Sequence, residues 1–244
     1  MVLCEWPLGN GLAEAEELAA LARSRGIRTV VGLQARSAPA VRYLRDLVAD
    51  GYVGDVLSTT IVASGEGWGP EVPTRAARYF INVANGATML TINVGHTVDG
   101  VASVLDEFGE LYAVVATRRN TRDIETSGDL RTTAPDQVAV AGRLASGAVA
   151  AIHFRGGHSR GINFHWKING TESDLLVSGP SGRLQSIPVE IRGGHVCDGE
   201  LSVSGGSEHL RSGCWPAAGR PGLRGRPRLR PASRRHRERH VDAA

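Results

Sequence analysis

The hydrophobic positions of this chain change their period once, and the change divides it. Met1-Val-Leu-Cys4 is a short apolar run that stops at Glu5-Trp6-Pro7, and over residues 12–25 Leu12, Ala15, Leu18, Ala19 and Ala22 recur at three- and four-residue intervals. The pattern predicts a strand and then a helix, with Glu14, Glu16 and Glu17 in the helix's first turns and Gly26 as its stop. Arg28-Thr-Val-Val-Gly-Leu33 is β-branched and mostly apolar, as a strand covered on both faces would be. Strand, helix and strand with short connections make one right-handed parallel crossover. A second helix is expected over residues 37–50, with Ser37 as its cap, Pro39 in its first turn and Gly51 at its end. From Gly54 onward strand-like runs dominate, at 54–63, 111–118, 136–145, 148–155, 163–169, 174–178 and 187–192, interrupted by one helix over 93–108. Ser146-Gly147 and Asn169-Gly170 mark tight reversals, so the pairing should be largely antiparallel.

The expected fold class is therefore an α/β fragment, the end of a Rossmann domain, over residues 1–36. It is followed over residues 37–206 by an α+β domain with a large, mainly antiparallel open sheet. An apolar strand that ends in an acid-aromatic-proline turn reads as a late strand of a dinucleotide-binding sheet, whose phosphate-binding glycine turn should lie upstream. Nothing precedes Met1 in this sequence. The expectation is an N-terminally truncated sheet with exposed apolar surface and unpaired edges around residues 2–33.

Charge separates a third segment. Residues 207–244 hold ten Arg against Glu208, Glu238 and Asp242, a net +7, whereas residues 1–206 hold 18 basic and 22 acidic residues, a net −4. The overall +3 thus belongs to a tail rich in Gly and Pro, without helical or strand period, which is expected to be disordered. Arginine clusters can contact phosphates, but the Arg, Pro, Gly and Ala bias fits out-of-frame translation of a GC-rich coding region better than a nucleic-acid arm. Lys167 is the chain's one lysine, which agrees with such a bacterial, high-GC genome. No apolar run approaches the roughly 18 residues of a membrane span, and no signal-peptide pattern opens the chain. The expected compartment is the cytoplasm.

The candidate chemistry is sparse. Cys4, Cys197 and Cys214 are too widely spaced for a zinc site or a disulfide framework. His153, His158 and His165, spaced by five and seven, match no metal pattern, and 153 and 165 should fall on unrelated strands, so no metal site is expected. Gln34 and Arg36 stand just past the carboxyl end of the strand 28–33, where open α/β sheets bind ligands. Trp6 before Pro7 is either a platform for a ligand ring or an aromatic-proline packing pair. His96, in a helix otherwise apolar on one side, is either an acid-base group or a core histidine. Glu66, Trp68 and Arg75 lie in a glycine-rich loop that could line a polyol pocket.

Taken in order, CEWPLG, a helix, VVGLQARSAP, GYVGDVLS, NGATMLTINVGHTVD and INGTESDLLVSGPSGRLQ resemble the glucose-fructose oxidoreductase, inositol dehydrogenase and rhizopine-catabolism (Gfo/Idh/MocA) family over residues 1–203. The resemblance implies a Rossmann domain for NAD or NADP, then a C-terminal domain whose open sheet shapes the substrate site and joins subunits into a homo-oligomer. It implies hydride transfer between the nicotinamide and a sugar or polyol, with a base for the hydroxyl proton. Catalytic members carry a lysine in a Glu-Lys-Pro turn and an Asp four residues before a His. Here Glu5 and Pro7 match the turn around Trp6, His96 matches the His after Ile92, and Asp99 matches an acid one helical turn later.

Trp6 cannot supply the lysine's charge-assisted hydrogen bond, and Ile92 cannot orient His96. The Trp-substituted turn resembles the branch of the family that contains the fungal galactose-pathway corepressor, which implies dinucleotide and protein binding without turnover. The expected cofactor-facing residues are Glu5, Trp6, Pro7, Gln34 and Arg36, with His96 and Asp99 as the remaining catalytic candidates. Without the glycine turn, this chain should bind neither dinucleotide well. The alternative is an active sugar or polyol dehydrogenase in full-length form, with His96 as acid and base.

Overall fold

A computed structural model describes residues 1–203. The expected disordered tail, residues 207–244, and the last three residues of the expected sheet domain lie outside the described residues.

Strands β1 (Val2–Glu5) and β2 (Thr29–Gly32) pair in parallel, Val2 opposite Thr29 through Glu5 opposite Gly32, with α1 (Leu12–Ser24) as their crossover. The elements follow the hydrophobic period, but their burial does not. No residue of α1 is buried, Leu3 is 67% exposed and Val30 48%. Two strands and one helix supply too few neighbours to cover both faces of β2, so the two-sided cover its composition implies is not formed.

A 3₁₀ turn over Gln34–Ser37 precedes α2 (Pro39–Ala49). Ser37 is therefore not the cap. Ring sterics hold the residue before a proline in the extended region, as Ala38 is (φ −60°, ψ 133°), and the helix starts only at Pro39. Val41 and Leu44 turn inward from it.

The remainder builds β3 (Val56–Gly65), β4 (Glu71–Val72), α3 (Gly95–Val104), β5 (Phe108–Ala116), β6 (Thr121–Asp123) and β7 (Asp129–Leu130). After these come β8 (Gln137–Leu144), β9 (Val149–Gly156), β10 (Phe164–Gly170), β11 (Ser173–Gly179), β12 (Glu190–His195) and β13 (Ser202–Val203). Eight of them form one sheet in the order β13-β12-β11-β10-β3-β9-β8-β5. Its neighbours are antiparallel except β3 and β9, which run parallel at its centre, so the sheet is mixed. A second, three-stranded sheet of β4, β6 and β7 went unpredicted, because strands of two or three residues are too short to show alternation.

The helix expected over 93–108 is a π-helical turn, Leu90–Val94, running into α3, which ends at Val104. Phe108 already belongs to β5. The Ser146-Gly147 reversal joins β8 to β9, whereas Asn169 and Gly170 end β10 at a bulge against β3 and the chain turns after them.

Alternate residues of the sheet, among them Ile61, Val138, Ile152 and Trp166, join Leu44 of α2 and Val101 of α3 in one buried core. The opposite face is open. His153 and His165 are not on unrelated strands: both lie opposite Val62 of β3, one on each side, in a single row of that open face. No helix among the described residues is long and apolar enough to cross a membrane.

Candidate functional site

The carboxyl ends of β1 and β2 meet the head of α3, and most of the expected site residues gather there. Trp6 and Pro7 are joined by a cis peptide. The Trp6 indole N–H donates to the carbonyl of Thr91, in the π-helical turn, at 2.6 Å. Its ring lies against Gly95, where a Cβ would stand 2.5 Å from Nε1. Its single donor is thus taken by backbone, and its ring packs on a glycine that leaves room for it.

Gln34 Nε2 donates to Glu5 Oε2 at 2.7 Å, linking the ends of the two strands. Arg36, from the 3₁₀ turn, reaches across to α3 and holds Asp99 by two hydrogen bonds, its Nε donating to Oδ2 at 2.9 Å and its Nη2 to Oδ1. Arg36 is half exposed and Asp99 is 10% exposed. The bond to Asp99 holds the Arg36 guanidinium above its ordinary value.

His96, one turn before Asp99, is 3% exposed, and its Nδ1 has no hydrogen-bond partner among the described residues. Burial lowers the imidazole below its ordinary value of 6.5, against the opposing pull of the Asp99 and Glu5 charges. At neutral pH it is therefore an uncharged ring. Asn93 lies three residues before His96 and four before Thr97, so it neighbours both along the helix. Asn93 Nδ2 and Thr97 Oγ1 are likewise buried without partners. Sequence reasoning missed both, together with Gly95 and Thr91. A polar residue three before His96 on an otherwise apolar helix face was the available signal.

The other candidates stand apart. Glu66 pairs with His158 Nε2 at 3.2 Å and with Arg183 at 3.5 Å. Trp68 is buried, its N–H donating to the Phe80 carbonyl at 2.9 Å. The Arg75 backbone N–H donates to Glu125. Glu66, Trp68 and Arg75 thus each bond to other residues. No cluster of His, Cys, Asp and Glu among the described residues could hold a metal ion.

A pyrophosphate needs a run of backbone N–H groups at a helix start. The residues here do not fit it: Glu14, in the first turn of α1, already accepts the Asn10 N–H at 2.6 Å, and its carboxylate would repel a second anion.

Residues 39–179 match the family described as Gal80p, C-terminal domain. The chain belongs to this Gal80p C-terminal-like family, a relative of the Gfo/Idh/MocA oxidoreductases. It is 30% identical over 189 residues to the galactose/lactose metabolism regulatory protein GAL80 of Saccharomyces cerevisiae, an alignment covering 73% of this chain and 43% of that protein. To the dehydrogenase aclE of Aspergillus oryzae it is 29% identical over 221 residues, 88% of this chain and 57% of that one. The chain spans about half the length of the curated relatives it matches.

Among solved structures, a super-repressor mutant of Gal80p from Saccharomyces cerevisiae superposes with a TM-score of 0.76 at 26% identity, over 83% of this chain and 55% of that one. Levoglucosan dehydrogenase, in complex with NADH and levoglucosan, gives 0.66 at 21% identity over 88% and 57%, a likeness of fold. A regulator and a dehydrogenase thus share the fold of this chain.

Proposed function

We propose that the chain is a sensor-like, non-catalytic member of its family. In full-length relatives the fold would report a bound dinucleotide, NAD or NADP, or a sugar or polyol, to a protein partner. The observation that carries this reading is Trp6. A hydride-transfer site needs a donor or cation at the substrate oxygen, and the indole N–H is spent on the Thr91 carbonyl while Ile92 offers His96 no acid. The likeness to GAL80 supports the same reading. Residues 1–36 are read as the end of the dinucleotide domain and 37–206 as the substrate and oligomerisation domain, with the open sheet face meeting a second copy in the cytoplasm. Full-length relatives with these residues, given NAD or NADP and a panel of sugars and polyols, should show no change in nicotinamide absorbance. Oxidation of any of them, lost in His96→Ala, would overturn the proposal.

A second reading rests on His96 itself. Its uncharged ring, with Nδ1 unpartnered among the described residues, keeps a basic nitrogen of the kind a dehydrogenase requires, and dehydrogenases are among the relatives. On that reading His96→Ala lowers turnover by roughly a hundredfold or more, with dinucleotide affinity nearly intact.

A further inference from the structure

Strand β5 ends the eight-stranded sheet, and all seven of its interior residues are exposed. Natural edge strands are kept from pairing by lysine, proline, short length or a strong bulge. β5 has nine residues, Phe-Gly-Glu-Leu-Tyr-Ala-Val-Val-Ala, with neither lysine nor proline, and its one irregularity is confined to the Phe108 end. Its backbone N–H and C=O groups on the outer side therefore form an open template.

The side chains show which strand fits. Tyr112 and Val114 stand opposite Ala141 and Ala139 on the open face, 75% and 70% exposed, while Leu111 and Val115 point to the core side beyond the reach of the covering helices, at 50% and 46%. Antiparallel pairing of β5 with itself about Ala113 sets Leu111 against Val115 on one face and Tyr112 against Val114 on the other. Ala113 meets Ala113, and the one charge in the run, Glu110, meets Ala116 instead of another carboxylate. Every direct pair from 111 to 115 is apolar with apolar, the combination that stabilises cross-strand neighbours. A two-fold contact demands such self-complementarity, and this register supplies it.

We propose that β5 is a docking edge for β5 of a second copy of this chain, in antiparallel register centred on Ala113, joining two sheets into one. This contact is independent of the dinucleotide reading and of the open-face contact proposed above, because a copy added at the edge extends the sheet and leaves its face uncovered.

Light scattering and sedimentation of the whole chain at high micromolar concentration should show self-association, a dimer where the edge pairs alone and a tetramer or larger assembly where the open face pairs as well. Val115→Lys, which puts a lysine in both Leu111 pairs on the core side and leaves the open face unchanged, should raise the dissociation constant about tenfold or more. Val62→Lys, on the open face away from the edge, should disturb only the open-face contact and leave edge pairing, read by the cross-link below, unchanged. Circular dichroism checks that each variant folds, and a near-isosteric replacement tests the register without that concern. In a chain with Cys4, Cys197 and Cys214 changed to Ser, Ala113→Cys should form an interchain disulfide under mild oxidation, since directly opposed residues lie about 4.5–5.5 Å apart. Leu111→Cys alone should form none, but should cross-link to a Val115→Cys chain. A monomer throughout, or a dimer lost in Val62→Lys while Ala113→Cys fails to cross-link, would overturn the edge contact and leave the proposed function untouched.

Discussion

Adding one methyl group at Gly95 would place it 2.5 Å from the Trp6 indole nitrogen, so the ring or the helix must move. Gly95→Ala should cost about 1–3 kcal/mol in urea unfolding and shift Trp6 fluorescence as the bond to Thr91 is lost, whereas Gly95→Ala in a Trp6→Ala background should cost far less. Trp6→Lys with Ile92→Asp restores the residue types of catalytic relatives, but lacks the surrounding groups that would hold them. A second prediction concerns His96. Its folded-state value lies below 6.5, so under acid the unfolded chain binds a proton that the folded chain refuses. The stability that depends on neutral His96 is therefore complete above the unfolded value of about 6.5 and declines as pH falls below it. Urea midpoints measured between pH 8 and 5 should fall more steeply for the wild type than for His96→Asn. Arg36→Gln leaves the Asp99 charge unneutralised beside His96, and the imidazole should titrate higher by NMR.

At the scale of elements, Asp136 holds the start of β8 to the loop that leaves β5. Its 1%-exposed carboxylate accepts the Arg118 N–H at 3.1 Å and the Arg119 N–H at 3.0 Å. Asp136→Ala strands both donors and should cost about 2–4 kcal/mol, with Asp136→Asn milder because one oxygen still accepts; denaturant unfolding measures both. The β1–β2 pair is the opposite case. It is a correctly formed ladder with little apolar cover, so amides 29–32 should exchange much faster than those of β3, β9 and β10, whose inward residues are fully buried. Element types were legible because the long runs carry a clear period of two or of three to four. The short strands β4, β6, β7 and β13 carry none, and the parallel contact of β3 with β9 depends on chain crossings that local period cannot express.

For the whole molecule, the acidic first turn of α1 and the engaged Glu5, Gln34 and Arg36 lead to one expectation. The chain of residues 1–244 should bind NAD or NADP no better than millimolar, and calorimetry giving micromolar affinity for either would contradict it. Of the residues gathered at the candidate site, His96, Asp99, Glu5, Trp6, Gln34 and Arg36 were marked by position along the chain, whereas Asn93, Thr97, Gly95 and Thr91 were not. Nor were the pairings among them. That Arg36 pairs with Asp99, 63 residues away, and that Trp6 donates to Thr91, 85 residues away, are facts of packing between elements.

Residue order by itself determined the succession of the long elements, through local period, and, through the order of its motifs, a family resemblance that sets Trp6 and Ile92 where polar groups were expected. Only the tertiary structure decided what the survivors do: Trp6 became a packed ring against Gly95, His96 a buried neutral base, Arg36 the partner of Asp99, and β5 an uncovered edge. The physical reason is that hydrogen-bond satisfaction, burial and charge are set by neighbours in space, and the sequence names candidates for those neighbours without choosing among them.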